Sequence, residues 1–194
     1  MKKPFITTYT GRKVNPLDLK PEDICILDIA HHLSCINRFV GALRVPMSDA
    51  QHSVYVSHLL RETGWEPEGL YHDAAEAYLG DVSKWVKQHQ SMRHYREAED
   101  RAWRVICEAL SLRVNGAPEV NELVHEADRL MVRFEAYKLG HKFHSMFEIP
   151  GYHRPSREEI SQVGPWRPWS WQKSKRLFLA QSRKLGYDDS STLS

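Results

Sequence analysis

Apolar positions recur along this chain at helical spacing rather than in strict alternation. From Asp23 onward, Ile26, Ile29, Ala30, Leu33 and Ile36 mark one face of a helix expected to run to about Phe39-Val40-Gly41. Ser48 is placed to cap a second helix, whose stripe combines His52, Tyr55, Val56 and Leu59 and stops before Gly64. Pro67 opens a third pattern, Leu70 to Tyr78, which Gly80-Asp81 breaks before a short Lys84 to Gln90 segment. Two long amphipathic helices follow, Ser91 to Leu110 and Pro118 to about Leu139, separated at Gly116. Residues 146–169 carry four prolines and two glycines and predict a long loop, either ordered or mobile, after which Ser170 can cap a last helix, 170–185. Residues 1–22, with Pro4, Gly11, Pro16 and Pro21, predict an irregular or partly extended arm. The expectation is an all-α, single-domain fold over residues 1–194.

Composition narrows the class. A chain of 194 residues suffices for one domain with a real core, and 41% hydrophobic with 27% charged residues excludes disorder as the main state. No apolar run approaches the length of a membrane span, and no apolar leader follows Met1-Lys2-Lys3, so the cytoplasm is the expected compartment. Cys25, Cys35 and Cys107 form no Cys-x-x-Cys pair and read as reduced core residues. A net charge of +2 argues against sustained nucleic-acid binding; an anionic partner must be held locally.

The unusual segment is Tyr71-His72-Asp73-Ala74-Ala75-Glu76-Ala77-Tyr78. Its stripe Leu70, Asp73, Ala74, Ala77 puts a carboxylate on the apolar side, a cost that a divalent cation removes, and His72 beside Asp73 offers nitrogen and oxygen ligands together. His52 lies in the apolar stripe of the second helix, and Asp128 shares a stripe with Val124, Met131 and Glu135. His52, His72, Asp73 and Asp128 thus form a candidate ligand set that suits Mn²⁺, Co²⁺, Fe²⁺ or Zn²⁺, with Mg²⁺ a weaker fit. His125, three residues before Asp128, is the alternative ligand from that helix. Glu76 projects from the same side one turn on, placed for proton transfer.

The order His52, His72-Asp73, Asp128 resembles the HD-domain superfamily of metal-dependent phosphohydrolases. With Asp28-Ile29-Ala30-His31, Asn37-Arg38-Phe39-Val40-Gly41, Ala50-Gln51-His52-Ser53 and His72 through Asp81, the chain resembles a phage-type branch related to 5′-deoxynucleotidases and phage dATP triphosphohydrolases over residues 7–135. The resemblance implies a helical HD-domain fold, an oligomer of identical chains, Glu76 and Asp73 as catalytic residues, and Arg38 as a phosphate or sugar contact. It also implies hydrolysis of the 5′-O–P bond of a 2′-deoxynucleotide, with dATP giving deoxyadenosine and triphosphate. A dNMP-specific 5′-deoxynucleotidase, a non-catalytic metal and nucleotide module, and a structural metal clamp are the competing readings.

Further substrate contacts rest on spacing. Lys84 and Lys87 are three apart and can share a side, Lys87 being favoured for the polyphosphate, while Phe39 and Trp85 are candidate walls for base or sugar. His31 and His32 read as core or hydrogen-bonding residues; His89, His94, His141, His144 and His153 as surface or loop residues. The stretch Pro165 to Trp171 is expected to cover the pocket, form a subunit contact, or pack the last helix.

Overall fold

A computed structural model describes residues 4–113, 122–140 and 143–188, without the side chains of Phe143 and His144. Among these residues the fold is all-α apart from one two-stranded hairpin. In the N-terminal arm, β1 (Ile6–Thr7) pairs antiparallel with β2 (Lys13–Val14), and a single 3₁₀ turn, Pro21–Asp23, leads on to α1 (Ile26–Cys35). Helix α1 ends earlier than its apolar spacing suggests. Ile36 turns extended, and Arg38–Gly41 forms a separate 3₁₀ turn with Phe39 and Val40 at φ 55° and 52°. Two consecutive non-glycine residues in the left-handed region are strained. Flanking pairing holds them: Arg38 N–H donates to Met47 O, and Asn37 bridges Ser48.

Helix α2 (Asp49–Leu59) begins where Ser48 Oγ accepts from Gln51 N–H. Every residue from Asp49 to Ser57 is buried, so this is a central helix packed on all sides rather than one with a single inward stripe. Around it pack α1, α3 (Glu66–Tyr71), α7 (Glu122–Leu139), α8 (Arg157–Val163) and α9 (Trp171–Lys184). One core joins Ile29, Leu33, Ala50, Val54, Leu70, Tyr71, Ile106 and Phe178; a second joins Val56, Val124, Met131 and Phe134. Because Gly69 of α3 lies against Ser57, a Cβ there would sit 3.3 Å from the Ser57 backbone and 2.5 Å from Leu60 Cδ1. The two helices meet at that glycine.

The third pattern is not one helix. After α3 the chain tightens through residues 72–75, with Ala74 N–H to Tyr71 O and Glu76 N–H to Asp73 O, before α4 (Glu76–Leu79). Gly80, at φ 80°, turns it toward α5 (Lys84–Lys87), and the long α6 (Arg93–Leu110) follows. Residues 114–121, including Gly116 and Pro118, lie outside the described residues, as does His141.

Residues 146–169, expected as one loop, contain a short helix, α8. A 3₁₀ segment, Phe143–Glu148, precedes α8, whose Ser156 and Glu159 form a reciprocal capping box. The tryptophan-rich stretch packs inward: Trp166 and Trp169 join the second core, and Gln51 clamps the backbone through Arg167 O and Trp169 N–H, both at 2.9 Å. Ser170 caps α9 as expected. Cys25 and Cys107 are buried, but Cys35, at the end of α1, is exposed and not a core residue. Among the described residues no helix is long and apolar enough to cross a membrane.

Candidate metal centre

Three elements deliver the centre. Helix α2 brings His52 from the middle of the molecule, the tightened turn after α3 brings His72 and Asp73, and α7 brings Asp128. His52 Nε2 lies 3.0 Å and His72 Nε2 3.9 Å from the same oxygen, Asp128 Oδ1. One ligand atom from each of these residues falls within 4.8 Å of the other two. Asp73 Oδ2 adjoins the group at 3.2 Å from His72 Nε2, and it is also 3.5 Å from Arg38 Nη1.

The opposite ring nitrogens fix the tautomers. His52 Nδ1 is 2.7 Å from Glu135 Oε1, and His72 Nδ1 is 2.9 Å from Gly69 O. Both partners only accept, so both Nδ1–H groups donate, and in the neutral rings the Nε2 lone pairs face inward. Neither buried Nε2 makes a hydrogen bond. Two lone pairs and a carboxylate converging in a buried space repel one another unless positive charge lies between them. Protons meet that need when no metal does. Burial and Arg38 oppose charging His52, yet Glu135 and Asp128 push its pKa up to about 10. Burial likewise opposes ionised Asp73 and Asp128, but the facing imidazoles hold both below the usual carboxylate range. The donor set fits a divalent ion that accepts nitrogen and oxygen, each histidine being oriented by a second hydrogen bond.

Glu135 is the residue that sequence reasoning placed on the right stripe without giving it a role. It is fully buried, and its second oxygen accepts from Arg38 Nε at 3.2 Å. Asp49 was missed entirely. A carboxylate at the first position of a helix reads as a favourable partner for the helix dipole, and only its spacing, three before His52, hints that both face the same way. Arg38 contacts Asp49, Asp73 and Glu135 together. A guanidinium expected to reach phosphate is therefore already engaged by three carboxylates.

A cavity of about 230 Å³ opens beside the centre, lined by His72, Asp73, Glu76, Lys87, His125 and Asp128 together with Glu99 and Asp100. His125 thus reaches the cavity wall but stands outside the three-ligand group. Glu76 is buried there; desolvation and the negative charge of Asp73 and Asp49 raise its carboxyl well above the usual range against the pull of Lys87. Lys87 Nζ bonds Glu76 Oε1 at 2.9 Å and Glu99 Oε1 at 2.5 Å. The other expected contacts go elsewhere. Lys84 donates to Tyr152 Oη, exposed Trp85 tilts against the Tyr152 ring, and Phe39 packs with Leu43, Met47 and Leu139. His31 stacks on Tyr9, and His32 bonds Ala77 O and Tyr9 N–H, so both are structural. His153 is mostly exposed but touches Arg133.

The fold and site define a helical protein with a histidine and aspartate centre, buried at His52 and partly exposed at His72 and Asp128, that could hold a metal ion. No family model matches the chain. It is 35% identical over 136 residues to the uncharacterized protein YfdR of Escherichia coli, covering 70% of this chain and 72% of that one. It is 30% identical over 147 residues to the uncharacterized protein RCAP_rcc00048 of Rhodobacter capsulatus, covering 72% and 74%. The chain belongs to the family of these proteins.

Proposed function

We propose that the protein is a metal-dependent phosphohydrolase that cleaves the 5′-O–P bond of 2′-deoxynucleotides. One observation carries the reading: two oriented, hydrogen-bond-free imidazole nitrogens and Asp128 converge at the wall of a cavity that also holds buried Glu76. Co²⁺, Mn²⁺, Zn²⁺ or Fe²⁺ suits the donor set better than Mg²⁺. A divalent ion held there supplies Lewis acidity toward a phosphoryl oxygen and lowers the pKa of a water ligand. The chain's own residues do the rest. Glu135 and Gly69 O keep His52 and His72 turned inward, and Arg38 fixes Asp73 and Glu135. Glu76 Oε2, which lacks a hydrogen-bond partner, holds the proton that passes to the departing 5′ oxygen as the 5′-O–P bond breaks and water oxygen bonds to phosphorus; the water's protons stay with the released phosphate, one of them then restoring the Glu76 acid.

Resemblance to the phage-type branch favours dATP, released as deoxyadenosine and triphosphate. The cavity lining supports a second reading, a dNMP-specific 5′-deoxynucleotidase. Glu99 and Asp100 face the space beyond the centre, and Lys87 is shared between two carboxylates, an unfavourable field for a polyphosphate. Incubating the protein with dNTPs, dNMPs and rNTPs in Co²⁺ or Mn²⁺, followed by chromatography, separates the two. Triphosphate from dATP supports the first, phosphate from dAMP the second, and turnover of neither overturns both.

A further inference from the structure

Beside the histidine centre lies a second group of carboxylates. Asp49 opens α2, Glu76 opens α4, and the turn at Gly80 brings Asp81 back toward them; one oxygen from each falls within 4.8 Å of the other two. Asp49 is fully buried, Glu76 nearly so, and Asp81 half-buried. Each of the first two has one oxygen engaged, Asp49 Oδ1 by Arg38 at 3.3 Å and Glu76 Oε1 by Lys87 at 2.9 Å. The remaining oxygens, Asp49 Oδ2 and Glu76 Oε2, are buried and accept no hydrogen bond. A buried carboxylate oxygen without a donor is costly.

The nearby cations do not balance this group. Arg38 is shared among Asp49, Asp73 and Glu135, and Lys87 between Glu76 and Glu99. With Asp81, six carboxylates lie around Arg38, Lys87 and His52, and His52 faces Glu135 rather than Asp49, Glu76 or Asp81. An ion held by His52, His72 and Asp128 supplies no hydrogen-bond donor to Asp49 Oδ2 or Glu76 Oε2.

We propose that Asp49, Glu76 and Asp81 hold a second divalent cation of the hard, oxygen-preferring class, such as Mn²⁺ or Mg²⁺. Its donors are all carboxylate oxygens, the set that suits such ions, whereas the imidazoles of the first centre suit later transition metals. Filling the site requires ionised Glu76 and so removes the proton that the hydrolase reading assigns to it. Where that reading also holds, the second ion slows turnover at high cation concentration. The binding itself does not depend on it.

The test is equilibrium dialysis of the intact chain against rising Mn²⁺, with ions per chain measured by atomic emission. Two ions are expected for the wild type, one for Asp81→Asn and one for His72→Ala, with helical content checked by circular dichroism. Asp81 is half-buried and removable with little effect on packing; Asp49→Asn is a second variant that should also bind one ion. Saturation of the wild type at one ion, or two ions retained by Asp81→Asn, overturns the proposal. Failure of the hydrolase reading shows itself separately, as nucleotides left intact by a chain carrying its ions.

Discussion

Glu135 holds His52 with one oxygen and Arg38 with the other, at 2.7 and 3.2 Å, and so couples the orientation of a candidate ligand to that of the guanidinium that also contacts Asp49 and Asp73. Replacing Glu135 by Gln keeps the shape but weakens the hold on His52 Nδ1–H. Metal affinity should fall by about 10- to 100-fold, as is typical when a ligand's outer partner is lost. Titration with Co²⁺ followed by its visible absorption reads this directly; unchanged affinity would remove Glu135 from the site.

Glu76→Gln should leave the histidine centre able to bind its ion while lowering turnover by roughly 10²- to 10⁴-fold, the usual contribution of a positioned acid or base. The pH profile carries the sign. Burial, Asp73 and Asp49 raise the Glu76 carboxyl, so its acid form persists to higher pH than in an ordinary glutamate, and the rate should fall on the alkaline side as that proton leaves. The glutamine variant should lack this limb. Equal rates in the two proteins would dismiss Glu76 from the mechanism.

In chelator, the buried Asp49 makes its own contribution to stability. Burial raises its pKa to about 7 against the pull of Arg38, with Asp73 and Asp81 adding to the rise. The folded chain therefore binds more protons here than the unfolded chain between about pH 4 and about pH 7. This group's contribution is complete below the unfolded pKa and is lost as pH rises through the folded one. Asp49→Asn removes that slope. The melting temperature of the variant relative to the wild type should climb from pH 5 to pH 8; a flat difference would count against the assignment.

Gly69 serves two ends, close contact with Ser57 and the carbonyl that orients His72. Valine there overfills the α2–α3 contact and should cost about 1–3 kcal/mol, measured by urea unfolding. Metal affinity should fall with it, because the displaced carbonyl belongs to the same turn as His72.

Much of the helical architecture was legible because its caps and apolar spacings are local. Ser48 and Ser170 sit where their helices begin, and α6 follows its stripe. What was hidden depends on distant partners. The end of α1 is set by the strained Phe39-Val40 step and its pairing with the segment before α2, which no helical period encodes. The order in residues 146–169 comes from Ser156, Glu159 and the Gln51 clamp rather than from a long apolar stripe. Within the centre, His52, Asp73 and Asp128 could be singled out as polar groups on apolar faces, and His72 by its place beside Asp73. Asp49 and Glu135 could not, since their significance lies in carboxylates meeting one arginine across three elements. Lys84, Trp85 and Phe39 show the converse: their spacing suited a pocket, and their partners lie elsewhere.

His52, His72 and Asp128 belong to segments that are far apart in the chain, so an ion gripping all three acts as a cross-link present only in the native form. At a free concentration one hundred times its dissociation constant, such a ligand adds about 2.7 kcal/mol of resistance to unfolding. Heat tolerance then becomes a gauge of ion supply, and starvation for that ion would shorten the protein's lifetime before any change in its sequence did.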